Sequence, residues 1–172
     1  PRARFVEGGF TDIAYADRAL PIDCGQTISQ PYVVAYMTEQ LALRPHHRVL
    51  EVGTGSGYQA AVLAVLAREV YTIEIVEPLA TEARERLRRL GHANVFVRAG
   101  DGYRGWPEKA PFDAILVTAA PPEIPGPLLD RIDLHVEVGP ISERELLSRP
   151  AGQSSAEVRA KVQRARDVQA QR

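Results

Sequence analysis

RVLEVGTGSGYQAAVLA, residues Arg48–Ala64, runs from a short apolar segment through a glycine cluster into an alanine-rich stretch. Arg48 to Val52 reads as a strand, and Tyr58 to Ala67 as a helix. Between them Gly53, Gly55 and Gly57 let the backbone turn tightly and approach a ligand with no Cβ in the way. A dehydrogenase-type nucleotide loop would place a third small residue where Tyr58 stands, following G-x-G-x-x-G/A. The spacing here is G-x-G-x-G, with the acidic Glu51 two positions ahead of Gly53.

Outward from this loop the chain alternates. Pro31 to Leu43 reads as a helix with Val33, Met37 and Leu41 on one face, and Pro45 follows as a stop signal. Within GQTISQPYVV, Gly25 to Val34, Ser29 is placed to cap that helix ahead of Pro31. Val70 to Ile75 (VYTIEI) is β-branched and aromatic, hence a strand. Leu79 to Leu90 is helical and Gly91 supplies its stop. Val95 to Val97 and Phe112 to Thr118 are further strands. Strands and helices alternating in this way predict a parallel sheet covered on both faces. Ligands of such sheets bind beyond the carboxyl ends of the strands, where strand order reverses. Functional residues are therefore expected just after Val52, Ile75, Val97 and Val117.

The G-x-G-x-G spacing with its leading acid resembles that of S-adenosylmethionine-dependent methyltransferases. Such a cofactor has no pyrophosphate, only an amino-acid tail, a sulfonium and an adenosine. Glu74 ends the second strand of the alternating pattern, where a carboxylate can accept from both ribose hydroxyls. Asp101, in Gly100-Asp101-Gly102 after the third strand, suits the adenine amino group. Glycine turns with solvated surface acids are the competing reading of these residues. The fall of Glu74 and Asp101 at strand ends favours the cofactor.

Bulk composition excludes several classes. A chain of 172 residues sustains one full-sized core rather than two. Hydrophobic residues at 45% and charged residues at 25% are ordinary globular values. A net charge of −1 gives no reason to expect nucleic acid as the main partner. No apolar run approaches the roughly 20 residues of a membrane span, so no membrane partner and no signal peptide are expected. The single cysteine, Cys24, fits a reducing cytoplasm and reads as a small, partly buried residue. The chain starts at Pro1 without an initiator methionine, as a trimmed chain or a fragment would.

Other tempting residues read as structural. His46 and His47 lie in a polar turn with no third ligand nearby, so no metal site is expected. Arg84, Arg86, Arg88 and Arg89, interspersed with Glu82 and Glu85, read as the wet face of a helix. Trp106 reads as a packing residue over its loop.

GQTISQPYVV, VLEVGTGSGYQAAVLA, VYTIEI and GDGYRGWPEKAPFDAILVTAAPPEIP together resemble the protein-L-isoaspartate O-methyltransferase family, from about Pro1 to Pro125. Tyr58-Gln59 and Gly105-Trp106-Pro107 are its most distinctive matches. The resemblance implies an α/β, Rossmann-like, S-adenosylmethionine-dependent methyltransferase sheet, truncated after the fourth or fifth strand. It implies transfer of a methyl group to the free carboxylate of L-isoaspartyl, and of D-aspartyl, residues in damaged proteins. The product is S-adenosylhomocysteine, and the ester starts repair. It makes Ser29 the active-site residue, with Thr27, Ile28, Thr118 and Ala119 on the substrate side. Glu51, Gly53, Thr54, Gly55, Ser56, Gly57, Glu74, Asp101 and Gly102 fall to the cofactor. Partners would be proteins and peptides bearing isoaspartyl residues, and the chain would act as a cytoplasmic monomer. The family's N-terminal helices are expected to be absent or shortened before Pro1. Two alternatives stand beside this reading: a methyltransferase of another substrate class, and a catalytically impaired cofactor-binding or interaction module.

After Pro125 the family pattern is expected to stop. Residues 126–172 resemble part of a magnesium-chelatase-like AAA+ ATPase, in which Arg131 would match an arginine finger. No G-x-x-x-x-G-K-[ST] loop exists in the chain to accompany it. The expectation is a methyltransferase domain over 1–125 and a foreign helical tail over 126–172. In that tail Ile132 to Val138 alternates as a one-sided strand, and Ser154 with Glu157 makes a capping box.

Overall fold

The computed structural model describes residues 1–118, so the expectations for Ala119 and for the tail 126–172 lie outside the described residues. Short 3₁₀ turns at Arg2–Arg4 and Gly8–Ile13 open the chain. Strands β1 (Leu20–Pro21) and β2 (Thr27–Ile28) then pair antiparallel, Leu20 with Ile28 and Pro21 with Thr27. Helix α1 (Pro31–Gln40) follows, then β3 (Arg48–Val52), α2 (Tyr58–Leu66), β4 (Glu69–Glu74), α3 (Glu77–Arg89), β5 (Val95–Ala99) and β6 (Ala114–Val117).

The main sheet has four parallel strands in the order β5-β4-β3-β6. Chain order reverses at β3: β4 and β5 lie to one side and β6 to the other. The inner strands β3 and β4 bury side chains on both faces, as a sheet covered on both sides requires. Val49, Val70 and Leu116 enter a core with Leu63 of α2, Leu79 and Leu87 of α3, Met37 of α1, and Phe5, Leu20, Ile22 and Ile28. Leu50, Tyr71 and Ile73 point the other way and are covered by Trp106, Phe112 and Ile115. Trp106 packs edge-on against Tyr71, with ring centroids 5.4 Å apart, in the packing role expected of it.

Sequence signals set most boundaries. Pro31 and Pro78 occupy the first turns of α1 and α3, where a missing N–H costs nothing. Glu77 in the first turn of α3 and Arg86, Arg88 and Arg89 in its last complement the helix dipole. Past the end of α3, Gly91 adopts φ 83°, and the His92 and Gly91 N–H groups donate to the carbonyls of Leu87 and Arg88. That is the glycine-terminated helix end expected there. Helix α1 stops at Gln40 rather than Leu43, because Ala42 turns left-handed at φ 45°.

Gly102 fixes how the segment after β5 meets β3. It is buried, and a Cβ built on it would lie 2.4 Å from Cγ1 of Val52. Overpacking of this kind costs about 1–3 kcal/mol. Gly102→Ala is expected to lower stability by that amount in urea denaturation, and Val52→Ala in the same chain should restore part of it.

Candidate functional site

The strand ends converge on the glycine loop, beside the reversal of strand order where parallel sheets bind ligands. Gly53, Gly55 and Gly57 take φ of 102°, 52° and 89°. The left-handed region costs an L-residue roughly 1–2 kcal/mol, so three such bends in five residues need glycine. Every strand end reaches this loop or its anchor. The Gly53 N–H donates to the carbonyl of Ile73 at 2.8 Å, and the Gly55 N–H to Oε2 of Glu74 at 2.8 Å. Oε1 of Glu74 accepts from the Val76 N–H at 3.0 Å, and its carbonyl accepts from Gly100 at 2.9 Å. From β6, the Thr118 hydroxyl donates to the carbonyls of Gly53 (2.7 Å) and Val52 (3.1 Å).

Beneath the loop lies a buried hydroxyl–carboxyl chain. The hydroxyls of Thr54 and Thr72 are 2.6 Å apart, and Thr72 donates to Oε2 of Glu51, also at 2.6 Å. Glu51 is wholly buried, and its Oε1 has no partner. Burial pushes its carboxyl up to about 8, against the Thr72 hydrogen bond that lowers it, and the Glu74 charge raises it further. The Ser56 hydroxyl is likewise buried and unpartnered.

The hairpin that bears Thr27 and Ile28, with Ser29 just after it, touches the loop through Ile22. Cδ1 of Ile22, between β1 and β2, lies 3.5 Å from the Cβ position at Gly55. Thr27 is exposed, Ser29 is half-buried, and Ile28 is buried in the main core, so the Ile28 side chain packs inward. Ser29 does not cap α1, contrary to expectation. Gln30 occupies the cap position without a side-chain bond, and Asp17 does the capping work by accepting from the Tyr32 N–H at 2.9 Å. Ser29 instead offers its carbonyl to the Arg2 guanidinium at 2.9 Å.

Asp101 stands exposed at the end of β5 and accepts from the Tyr103 N–H at 2.9 Å, while Gly102 is buried behind it. Three residues at the site escape a sequence reading. Ile75 directly follows Glu74 and is 73% exposed, a large apolar side chain held out at the sheet rim. Arg86 is not a wet-face residue: its Nη1 donates to the Ser56 carbonyl at 2.9 Å, while Nη2 pairs with Glu82. Its spacing from Glu82 was visible, but its contact with a loop thirty positions away was not. Arg2 had no signal at all. Cys24 is also corrected, being exposed in the left-handed region at φ 58° rather than partly buried.

A family model for protein-L-isoaspartate(D-aspartate) O-methyltransferase matches residues 1–162. The chain belongs to this family. The match extends past Pro125, where the resemblance read from the motifs ends. Similar members include a protein-L-isoaspartate O-methyltransferase of Synechococcus sp. (strain JA-2-3B'a(2-13)), 62% identical over 132 residues. That alignment covers 77% of this chain and 54% of the relative. Another, from Gloeobacter violaceus, is 58% identical over 78% of this chain and 66% of its own length. The chain thus spans between about half and two thirds of these relatives. Among solved structures, a protein-L-isoaspartate O-methyltransferase superposes with a TM-score of 0.69 at 34% identity, covering 76% of this chain and 44% of that one. A putative family member from Plasmodium falciparum, in complex with S-adenosyl-L-homocysteine, gives 0.61 at 30% identity, over 75% of this chain and 66% of its own. The four-stranded order is thus the methyltransferase form of the Rossmann-like sheet.

The state of Glu51 has a measurable consequence. Its carboxyl holds its proton up to about 8 when folded, against 4.5 for the free group. Between those values the folded chain binds more protons than the unfolded one, so stability falls as pH rises through that window. Urea denaturation across this range is expected to show the decline in the ligand-free protein. Glu51→Gln, neutral at every pH, should remove that component; an unchanged slope in the variant would exclude Glu51 as its source.

Proposed function

We propose that the chain transfers a methyl group from S-adenosylmethionine to the free carboxylate of L-isoaspartyl and D-aspartyl residues in damaged proteins. The ester formed starts their repair, and S-adenosylhomocysteine leaves as the other product. A cytoplasmic monomer acting on proteins and peptides belongs to the same proposal. The observation that carries it is the contact of Ile22, in the hairpin that bears Thr27 and Ile28, with the glycine loop at Gly55. Family membership and the cofactor product in the Plasmodium falciparum relative support it.

The residues present fit such a cofactor. A buried carboxyl with one oxygen unpaired favours a nearby cation, which an amino-acid tail supplies. Ser56 offers a second unpartnered polar atom. Gly53, Thr54, Gly55 and Gly57 give a backbone cradle, Glu74 and Asp101 present acceptors for a nucleoside, and exposed Ile75 presents an apolar surface for its base. When bound, the cofactor supplies an electrophilic methyl group on a sulfonium. The chain then has little proton chemistry to perform. An α-carboxylate with a reference pKa of about 3.3–3.7 is already ionised at neutral pH. The chain's own residues would need only to hold an ionised carboxylate oxygen in line with that methyl group. In this reading the Ser29 hydroxyl hydrogen-bonds the carboxylate and aims it, Thr27 and Thr118 flank the acceptor, and positioning at about 3–3.5 Å supplies most of the acceleration. Ala119 and Gly102 complete the proposed lining.

A hydrogen bond to a charged group is typically worth about 1.5–3 kcal/mol. Ser29→Ala is therefore expected to lower turnover about ten- to a hundredfold while leaving S-adenosylhomocysteine affinity nearly unchanged. Calorimetry with S-adenosylhomocysteine, followed by single-turnover transfer to isoaspartyl and ordinary aspartyl peptides, tests the whole reading. Binding without transfer to either peptide would leave an impaired cofactor-binding module. Transfer that ignores the isoaspartyl linkage would point to another substrate class.

A further inference from the structure

Arg2 heads the large side chains that are fully buried among the described residues, at 1% exposure. A buried cation costs several kcal/mol in desolvation unless it is well compensated. Among the described residues no carboxylate forms an ion pair with it. Its compensation is instead backbone and ring. Nη1 donates to the Ala14 carbonyl, and Nη2 donates to the carbonyls of Ser29 (2.9 Å) and Arg18 (3.3 Å). Cζ lies 5.9 Å from the centroid of the Tyr58 ring, the first residue of α2 after the glycine loop. Nε is buried with no partner. Burial accordingly pulls the guanidinium pKa down, and Tyr58 and Asp17 oppose this.

An apolar side chain of similar volume would fill this space without the desolvation cost. What it could not do is hold three separate stretches of backbone from one planar fork. The stretches joined are the turn at Ala14, the approach to β1 at Arg18, and Ser29 at the entrance to α1. The same group touches the helix that the glycine loop starts. We propose that Arg2 is a positioning residue for the methyl-acceptor site. It fixes the Ser29 backbone, so that the hydroxyl is presented at a set place relative to the glycine loop. Its undercompensated positive charge, lying behind Ser29, favours an anionic acceptor in front of it. This inference rests on the proposed role of Ser29, and its test separates the two.

Arg2→Met removes fork and charge, whereas Arg2→Lys keeps the charge and loses the fork. Hydrogen exchange is the first readout. In Arg2→Met the amides of residues 27–30 and of Tyr32 are expected to exchange at least about tenfold faster, with those of β3 and β4 unchanged. Unchanged exchange at residues 27–30 and Tyr32, or a uniform rise across the sheet, would overturn the proposal. Kinetics is the second. Arg2→Met should lower kcat/KM for an isoaspartyl peptide about tenfold in the native background and less than about threefold beside Ser29→Ala, because coupled residues are not additive. Equal factors in both backgrounds would show that Arg2 does not act through Ser29. Arg2→Lys should recover the peptide KM but leave kcat low, with S-adenosylhomocysteine affinity unchanged in every variant. Should the methionine variant not fold, the lysine variant decides, and a native kcat there overturns the proposal. If the native chain itself transfers no methyl group, the functional reading falls, and hydrogen exchange alone still decides whether Arg2 holds Ser29.

Discussion

The carboxylate of Glu74 is the interaction on which the site's architecture turns. One oxygen takes the N–H of Gly55 and the other that of Val76, so a single side chain closes the glycine loop onto the end of β4 and starts the turn into α3. Backbone N–H groups in a left-handed loop have no ladder partner, and leaving them unpaired when partly buried costs about as much as a lost hydrogen bond. Glu74 removes that cost and sets the loop's height above the sheet. Arg86 completes the restraint from the α3 side by binding the Ser56 carbonyl. A loop held at Gly53, Gly55 and Ser56 is preorganised, and little ordering remains to oppose ligand binding.

Two ionisable groups are buried close to that loop. Glu51 stands beneath it within the sheet, and Arg2 stands behind the Ser29 segment. Neither has a countercharge in contact among the described residues, and each is only partly satisfied by neutral groups: the Thr72 hydroxyl for Glu51, three carbonyls for Arg2, with Oε1 and Nε left over. Glu51 escapes the desolvation cost by holding its proton, whereas Arg2 carries a cost that an apolar residue of the same volume would not.

Much of this was legible in the sequence, for identifiable reasons. RVLEV and VYTIEI declare strands because both of their faces are apolar or β-branched, and the glycines at 53, 55 and 57 cannot be replaced without strain. Glu74 stands out in the sequence because it ends a strand, although its bond to the Gly55 amide exists only in the folded chain. The hairpin between Leu20 and Ile28 was invisible, since two residue pairs carry no period. Proximity in sequence points to Ser29 as the cap of α1, whereas Asp17, fifteen positions ahead of Tyr32, takes that place through the fold. Arg86 resembled a solvated charge for the same reason: a ridge of arginines and glutamates does not reveal which member faces a neighbouring loop. Arg2 is the extreme case, as its three carbonyl partners lie in turns whose paths only the folded chain defines.

The β1–β2 ladder is only two residue pairs long. A ribbon that short has no independent stability in water and persists through what it leans on, here the burial of Leu20, Ile22 and Ile28 in the main core and the Arg2 clamp. Two residue pairs thus hold their register because three of the hairpin's apolar side chains are shared with the sheet's own core, and the ribbon's order is tied to the packing of that core.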